Sequence, residues 1–178
     1  SATVGNNDDY RVRGVISGPI AEGLTGRIAA GYINYDGWRT NSAEPDNRLG
    51  GTRKYGVSAV LEYDNDGPFS ARLAGFVTHS ESELQPISLL PLQSYNCGVV
   101  NGAGANQYFC GSLRAPNLTD VSRGIPRTKS TTRQLTLELR YELDAVEFIS
   151  TTGITDAENR AFNDFDATSA GPLFCVCT

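Results

Sequence analysis

The sequence contains no methionine, a single histidine and a single tryptophan, and none of its apolar stretches is long. Each scarcity removes a class of function. The most apolar segment, residues 86–92, falls far short of the roughly 20 residues that a membrane-spanning helix needs. With His79 alone there is no histidine pair for a metal and no obvious acid–base partner. Fifteen Lys and Arg against 20 Asp and Glu leave a net charge of -5. The cations are scattered rather than gathered into the basic stripe that displaces counterions, so nucleic acid is not an expected partner. No basic segment followed by an apolar one opens the chain, and any secretion signal is expected to lie upstream or to have been removed. A chain without methionine is expected to be a processed or excerpted piece. After Cys175-Val176-Cys177-Thr178, no final strand is expected to tie its end down.

What the sequence does have is alternation. In residues 53–63, Tyr55, Val57, Ala59, Leu61 and Tyr63 fall on one side of a period-two pattern, opposite Lys54, Gly56, Ser58, Val60 and Glu62. Residues 132–143 put Leu135, Leu137, Leu139, Tyr141 and Leu143 opposite Gln134, Thr136, Glu138, Arg140 and Glu142. This is the signature of a strand with one apolar face. Similar strands are predicted near 1–5, 10–17, 24–35, 69–79 and 146–155, about seven in all. Residues 18–23, 64–68 and 144–145 are short turns rich in Gly, Pro, Asn and Asp, residues that tolerate turn geometry. Residues 36–52 and 80–131 are long connections. The expected fold class is therefore all-β, an antiparallel up-and-down meander with two unlike ends. Transmembrane β-barrels have short turns on one side and long loops on the other.

A soluble β-sandwich also alternates. Three features favour a membrane barrel. Strand lengths lie near the 9–11 residues that cross the hydrocarbon layer. Aromatic residues cluster at strand ends, with Tyr32, Tyr35, Trp38 and Tyr55 around the first long loop and Tyr63, Phe69, Tyr141 and Phe148 around two short turns, as interfacial girdles require. The polar face carries Arg11, Arg13, Arg27, Arg72, Glu138 and Arg140, which suits a wet lumen.

The run from Gly5-Asn6-Asn7-Asp8-Asp9-Tyr10 through Arg11-Val12-Arg13-Gly14 to Val15-Ile16-Ser17-Gly18-Pro19-Ile20 resembles the opening of the barrel in TonB-dependent receptors. In that family a strand ends in a Ser-Gly-Pro turn. Residues 24–38, ending Tyr35-Asp36-Gly37-Trp38, resemble the next strand and its loop, and residues 53–57 and 146–156 resemble further family strands. The resemblance implies that residues 1–178 are a partial barrel made of its early strands, about a third of a roughly 22-stranded one, with the family's N-terminal plug domain absent from this stretch and residues 80–131 an extracellular loop. It implies a place in the outer membrane of a Gram-negative bacterium. It also implies active uptake of a scarce nutrient such as an iron–siderophore complex, and energy from a TonB complex acting through parts outside this chain. Outer-membrane lipid and a nutrient ligand are the expected partners. No enzyme activity and no cofactor are expected, and no ligand-contact residue is assigned.

Cys97 and Cys110, in an oxidising envelope compartment, are the candidate disulfide, closing 12 intervening residues. Zinc is the alternative for these thiols, but no C-x-x-C pair accompanies them. Cys175 and Cys177 are too close to bridge each other comfortably, and their partners stay open. A triad of Ser80, His79 and Asp64 can be written on paper without any nucleophile-elbow spacing; His79 reads better as an interfacial polar cap. The acidic groups at 8–9, 64–67 and 156–166 match no calcium loop, and Asn117-Leu118-Thr119 fits a glycosylation acceptor only formally. Two further readings stay open: a secreted β-sandwich adhesin that binds through the long loop, and an enzymatic outer-membrane barrel.

Overall fold

The computed structural model describes residues 1–87, 95–98, 108–111, 118–119, 121–124, 126–164 and 174–177. Its strands are β1 (Ala2–Gly5), β2 (Asp9–Ala21), β3 (Leu24–Tyr35), β4 (Arg39–Asn41), β5 (Glu44–Leu49), β6 (Thr52–Asp64), β7 (Phe69–Ser82), β8 (Leu118–Thr119), β9 (Thr128–Glu142), β10 (Glu147–Asp164) and β11 (Phe174–Cys177). A single 3-10 turn at Asn96–Gly98 is the helical structure among the described residues.

Eight strands form one open antiparallel sheet in the order β1-β2-β3-β6-β7-β9-β10-β11. All seven strands expected from alternation are in it, as neighbours in chain order. This wall is the antiparallel meander of a partial barrel, and it does not close on itself. Its turns follow the local chemistry. Gly23 adopts φ 66° between β2 and β3. A Cβ there would sit 2.9 Å from the Asp64 carbonyl oxygen, so glycine is required. Asp66 N–H donates to Asp64 Oδ1 at 3.1 Å in the β6–β7 turn. Leu143 and Val146 exchange backbone hydrogen bonds of 2.8 and 3.3 Å around Asp144-Ala145.

The structure corrects four expectations. First, β2 does not stop at Ser17 but runs through Gly18-Pro19 to Ala21. Pro19 is tolerated because β1 covers β2 only from Asp9 to Val12, leaving an open edge at that height, and the β2–β3 ladder bulges between Pro19 and Ala21. Second, β10 continues nine residues beyond Thr155, paired to β9 as far as Arg160↔Lys129. Residues 156–164 carry no apolar alternation, but the backbone ladder does not need one. Third, residues 174–177, read as a loose end, form β11 against Ala161–Asp164. Four residues are too few for a periodic signal, and the edge of β10 supplies the template. Fourth, the connection at 36–52 contains the β4–β5 hairpin, which joins β8 in a small second sheet. The two-residue β4–β8 ladder is parallel; the wall is antiparallel throughout.

The wall has no core. Among the described residues the buried hydrophobic side chains are Leu49 and Val121, both at the loop end. The chain exposes 12320 Å², against about 8,400 Å² expected for a compact globule of its mass. A sandwich would need a second sheet over the apolar face, and among the described residues no strand lies there.

Candidate functional site

Register decides which side chains share a face. Opposed residues across the wall give the rows Ile16–Ile28–Ala59–Gly75–Leu135–Ile154 and Gly26–Leu61–Leu73–Leu137. The apolar sides read separately from each strand thus fall on one surface. Exposure also alternates. Along β9, Leu135, Leu137 and Leu139 are exposed while Gln134, Thr136, Glu138 and Arg140 are half-buried; along β6, Val57, Ala59 and Leu61 are exposed while Gly56, Ser58 and Val60 are half-buried. In a single-layer sheet this pattern arises from curvature, because side chains on a concave face converge and shield one another. The polar face is concave and the apolar face convex, the reverse of a soluble barrel.

The convex surface has boundaries. Tyr32, Tyr55 and His79 form one row, with the Tyr55 and His79 rings 5.1 Å apart. Phe69, Tyr141 and Phe148 form another at the short-turn end, where Tyr63 lies 6.2 Å from Phe69. Tyr55 and Tyr63 are eight residues apart on β6, about 27 Å along the strand. At the tilt typical of barrels this corresponds to an apolar band about 20 Å tall, close to the roughly 25 Å of outer-membrane barrels. The His79 row itself ends on Glu158, and beyond it the same face becomes charged, with Glu81, Lys129 and Arg160. Arg133 and Asp156 pair at 2.8 Å one row inside it. His79 contacts Thr131 Oγ1 at 2.8 Å through Nδ1 and Glu81 at 3.6 Å through Nε2, which makes it a polar cap at the band's edge. Asp64 lies at the opposite end of β6, so the paper triad with Ser80 does not assemble.

On the concave face, Arg72 Nε donates to Glu62 at 2.9 Å and lies opposite Glu138 across β9. Arg140 pairs with Glu147 at 2.8 Å. Arg11 makes a two-point contact with Asp9 at 2.8 and 2.9 Å.

The long-loop end is built, not frayed. Asn41, 1% exposed, accepts hydrogen bonds at Oδ1 from Ala43 N–H and Val121 N–H, each 3.2 Å. Asp164 accepts from Ser122 N–H at 2.8 Å, which ties the end of β10 to the same cluster. Gly37, at φ 89°, is required because a Cβ there would collide with the Leu49 carbonyl. Below the cluster Arg127 reaches Glu83 at 2.6 Å and Glu81 at 3.7 Å. Glu83 Oε2 is buried beside the Gly51 backbone, with no well-formed hydrogen bond among the described residues. Burial holds the Glu83 carboxyl above the usual carboxylate range against the opposing pull of Arg127. None of these residues was legible in the sequence: Asn41 and Val121 are 80 positions apart, and neither belongs to a motif.

Cys97 and Cys110 are disulfide-bonded, with Cα atoms 5.1 Å apart. The bond sits beside an antiparallel bridge between Tyr95 and Phe109 whose rings meet edge-on at 5.6 Å. Asn117 and Asp166 lie outside the described residues, and the side chains of Cys175 and Cys177 are likewise undescribed.

No family model matches the chain, and no curated protein matches it. Among solved structures the chain is similar to the ferric yersiniabactin uptake receptor FyuA from Yersinia pestis, with a TM-score of 0.67 and 20% sequence identity over 90% of this chain. The chain spans 23% of the length of that receptor. At this identity the likeness is one of fold: the open wall described here has the shape of a sector of a larger β-barrel.

Proposed function

We propose that this chain is part of the barrel wall of an outer-membrane uptake receptor of the TonB-dependent kind, which carries a scarce nutrient such as an iron chelate and does no covalent chemistry. The observation that carries the reading is the two-faced wall: a convex apolar band between aromatic rows, backed by a concave face of Arg, Glu, Thr and Ser. In water none of the described residues covers that convex face; in a bilayer, lipid chains do. Closed strand-to-strand hydrogen bonding is one of the two ways a backbone can cross hydrocarbon. The fold likeness to a siderophore uptake receptor supports the class of cargo. Residues 83–127 form an outward-facing connection in this reading, shorter at both ends than the 80–131 expected from alternation because the β7–β9 ladder continues to Ser82↔Thr128, and energy arrives through parts of the parent outside this chain.

The orientation is tested by a pair of lysines one residue apart, introduced into the full parent chain. Leu137→Lys places a charge near the bilayer midplane and costs on the order of 2–4 kcal/mol. Thr136→Lys points into the polar interior and costs less than about 1 kcal/mol. Denaturant unfolding in lipid vesicles measures both. Equal costs, or the larger cost at Thr136, would overturn the orientation. The transport role requires in addition that cells lacking the parent accumulate less of at least one radiolabelled ferric chelate.

A further inference from the structure

The convex face carries a shallow depression of about 540 Å³ between the two aromatic rows, within the size range of small-molecule sites. Its floor is the pair Ala59 and Gly75, opposed across the β6–β7 ladder, where side chains are small or missing. Val57 and Val77 rise on its loop side, and Leu61 and Leu73 on the other. β6, β7 and β9 each have both neighbours within the wall, so this shape is complete in the present chain, and it faces away from the barrel interior.

Arg133 and Asp156 stand at the loop-side corner of the depression, each more than half exposed and 2.8 Å apart. Their height follows from the slope of the band. On passing from β6 to β9 and β10, the lower aromatic limit moves from Tyr63 one row further from the long loops, to Tyr141 and Phe148, and the first charged row moves the same way, from Arg53 to Arg133 and Asp156. Steps in one direction at both limits are what strand tilt produces in a barrel. The pair therefore stands at headgroup level, with the apolar depression immediately beneath it. Arg133 gives one terminal nitrogen to Asp156, and the rest of its planar fork of donors meets no partner among the described residues. On β9 and β10 this face carries Lys129, Arg133 and Arg160 against Asp156 and Glu158, although acidic residues outnumber basic ones in the whole chain by 20 to 15. Glu81 of β7 is shared between Lys129 and Arg127.

From this geometry we infer that the convex face holds one phosphate-bearing lipid as a bound molecule, its phosphate on Arg133 and one acyl chain laid in the Ala59–Gly75 depression. The inference rests on the membrane reading above and adds to it a lipid seat on the outer surface of the wall. A guanidinium facing a phosphate makes charge-assisted hydrogen bonds, and a lipid has the same vertical order as the site, charge above chains. A second copy of the protein fits less well. A twofold interface brings a surface against itself, and two hollows face to face leave a void whose lining lacks van der Waals partners, whereas a lipid chain fills a single hollow.

The full parent chain, purified in a neutral detergent, is titrated in native mass spectrometry with three probes. Dioleoylphosphatidic acid has both parts, dioleoylglycerol has the chains without the phosphate, and glycerol 3-phosphate has the phosphate without the chains. Wild type is expected to hold the phosphatidic acid at least tenfold more tightly than either of the others. Ala59→Leu fills the depression and keeps the face apolar, and Arg133→Gln/Asp156→Asn removes both charges of the pair together. Each is expected to weaken binding of phosphatidic acid at least tenfold. Ala71→Leu adds the same side chain to the same face at the short-turn end and is expected to leave binding unchanged. Equal binding of dioleoylglycerol, unaltered affinity in either of the first two variants, or the same loss in Ala71→Leu would each overturn the proposal. A parent that is dimeric in detergent and becomes monomeric as Ala59→Leu would also overturn it, by giving the depression to a second copy. Failure of the membrane reading is seen separately, as a parent that folds and stays dispersed without detergent.

Discussion

Glu83 is the residue whose environment departs most from its chemistry. One carboxylate oxygen meets Arg127 at 2.6 Å, while the other is buried beside the Gly51 backbone with no well-formed hydrogen bond among the described residues. Burial raises its pKa, and a raised folded-state value means that the native protein holds this proton more tightly than the unfolded chain. The stabilisation from proton uptake is complete below the unfolded value near 4.5 and is lost as pH rises through the higher folded value. The local contacts that report on it are the hydrogen bonds from Gly50 N–H to the Leu84 carbonyl, 2.8 Å, and from Glu83 N–H to the Gly51 carbonyl, 2.9 Å. Hydrogen-exchange protection at these two amides, corrected for intrinsic rates, is expected to fall as pH rises from 4 to 7 and to be flatter in Glu83→Gln. Identical slopes in the two proteins would remove Glu83 as the cause.

At the scale of elements, wall and loops are held by different forces. The strands of the wall are joined by continuous ladders, the longest being the 14 residue pairs between β9 and β10. In the loop segment around residues 95–110, the described residues are tied by one bridge and one disulfide. Closing a loop of sequence separation 13 is worth about 3 kcal/mol in the chain-entropy model. Replacing Cys97 and Cys110 together by Ser is therefore expected to speed proteolysis within residues 83–127 by an order of magnitude or more. The wall should stay at its native melting temperature, because no wall strand depends on that bond. Non-reducing peptide mapping checks the pairing itself. If the double variant lowers the melting temperature of the wall as well, the loop and the sheet are one cooperative unit and the separation drawn here is wrong.

For the whole molecule the deciding feature is the pair of open edges. Among the described residues, β2 beyond Arg13 and β10 before Ala161 have no neighbour on their outer sides, and each presents a row of N–H and C=O groups unpaired there. Such edges pair with other chains, and in hydrocarbon each unsatisfied group costs several kcal/mol. The 178 residues expressed alone are expected to aggregate or form inclusion bodies, and to refold poorly in micelles. On the barrel reading proposed above, a parent whose further strands pair with both edges is expected to refold. A monodisperse, folded monomer of this stretch in light scattering without detergent would contradict both the edge argument and the membrane reading.

Alternation determined much by itself. Each strand's apolar face was legible wherever the band runs, because period two is forced on any strand that has one face in an apolar medium. The aromatic ends of those strands and the Cys97–Cys110 spacing were visible too. The signal vanished at Asp156 and at Phe174, where strands rise above the band and backbone pairing alone sustains them. Only tertiary structure decided which face is concave, since curvature comes from the mutual twist and tilt of neighbouring strands and no single strand encodes it. It also decided the buried cluster of Asn41, Val121 and Asp164. Those residues come from separate elements, each ordinary in its own segment, and only register brings them together.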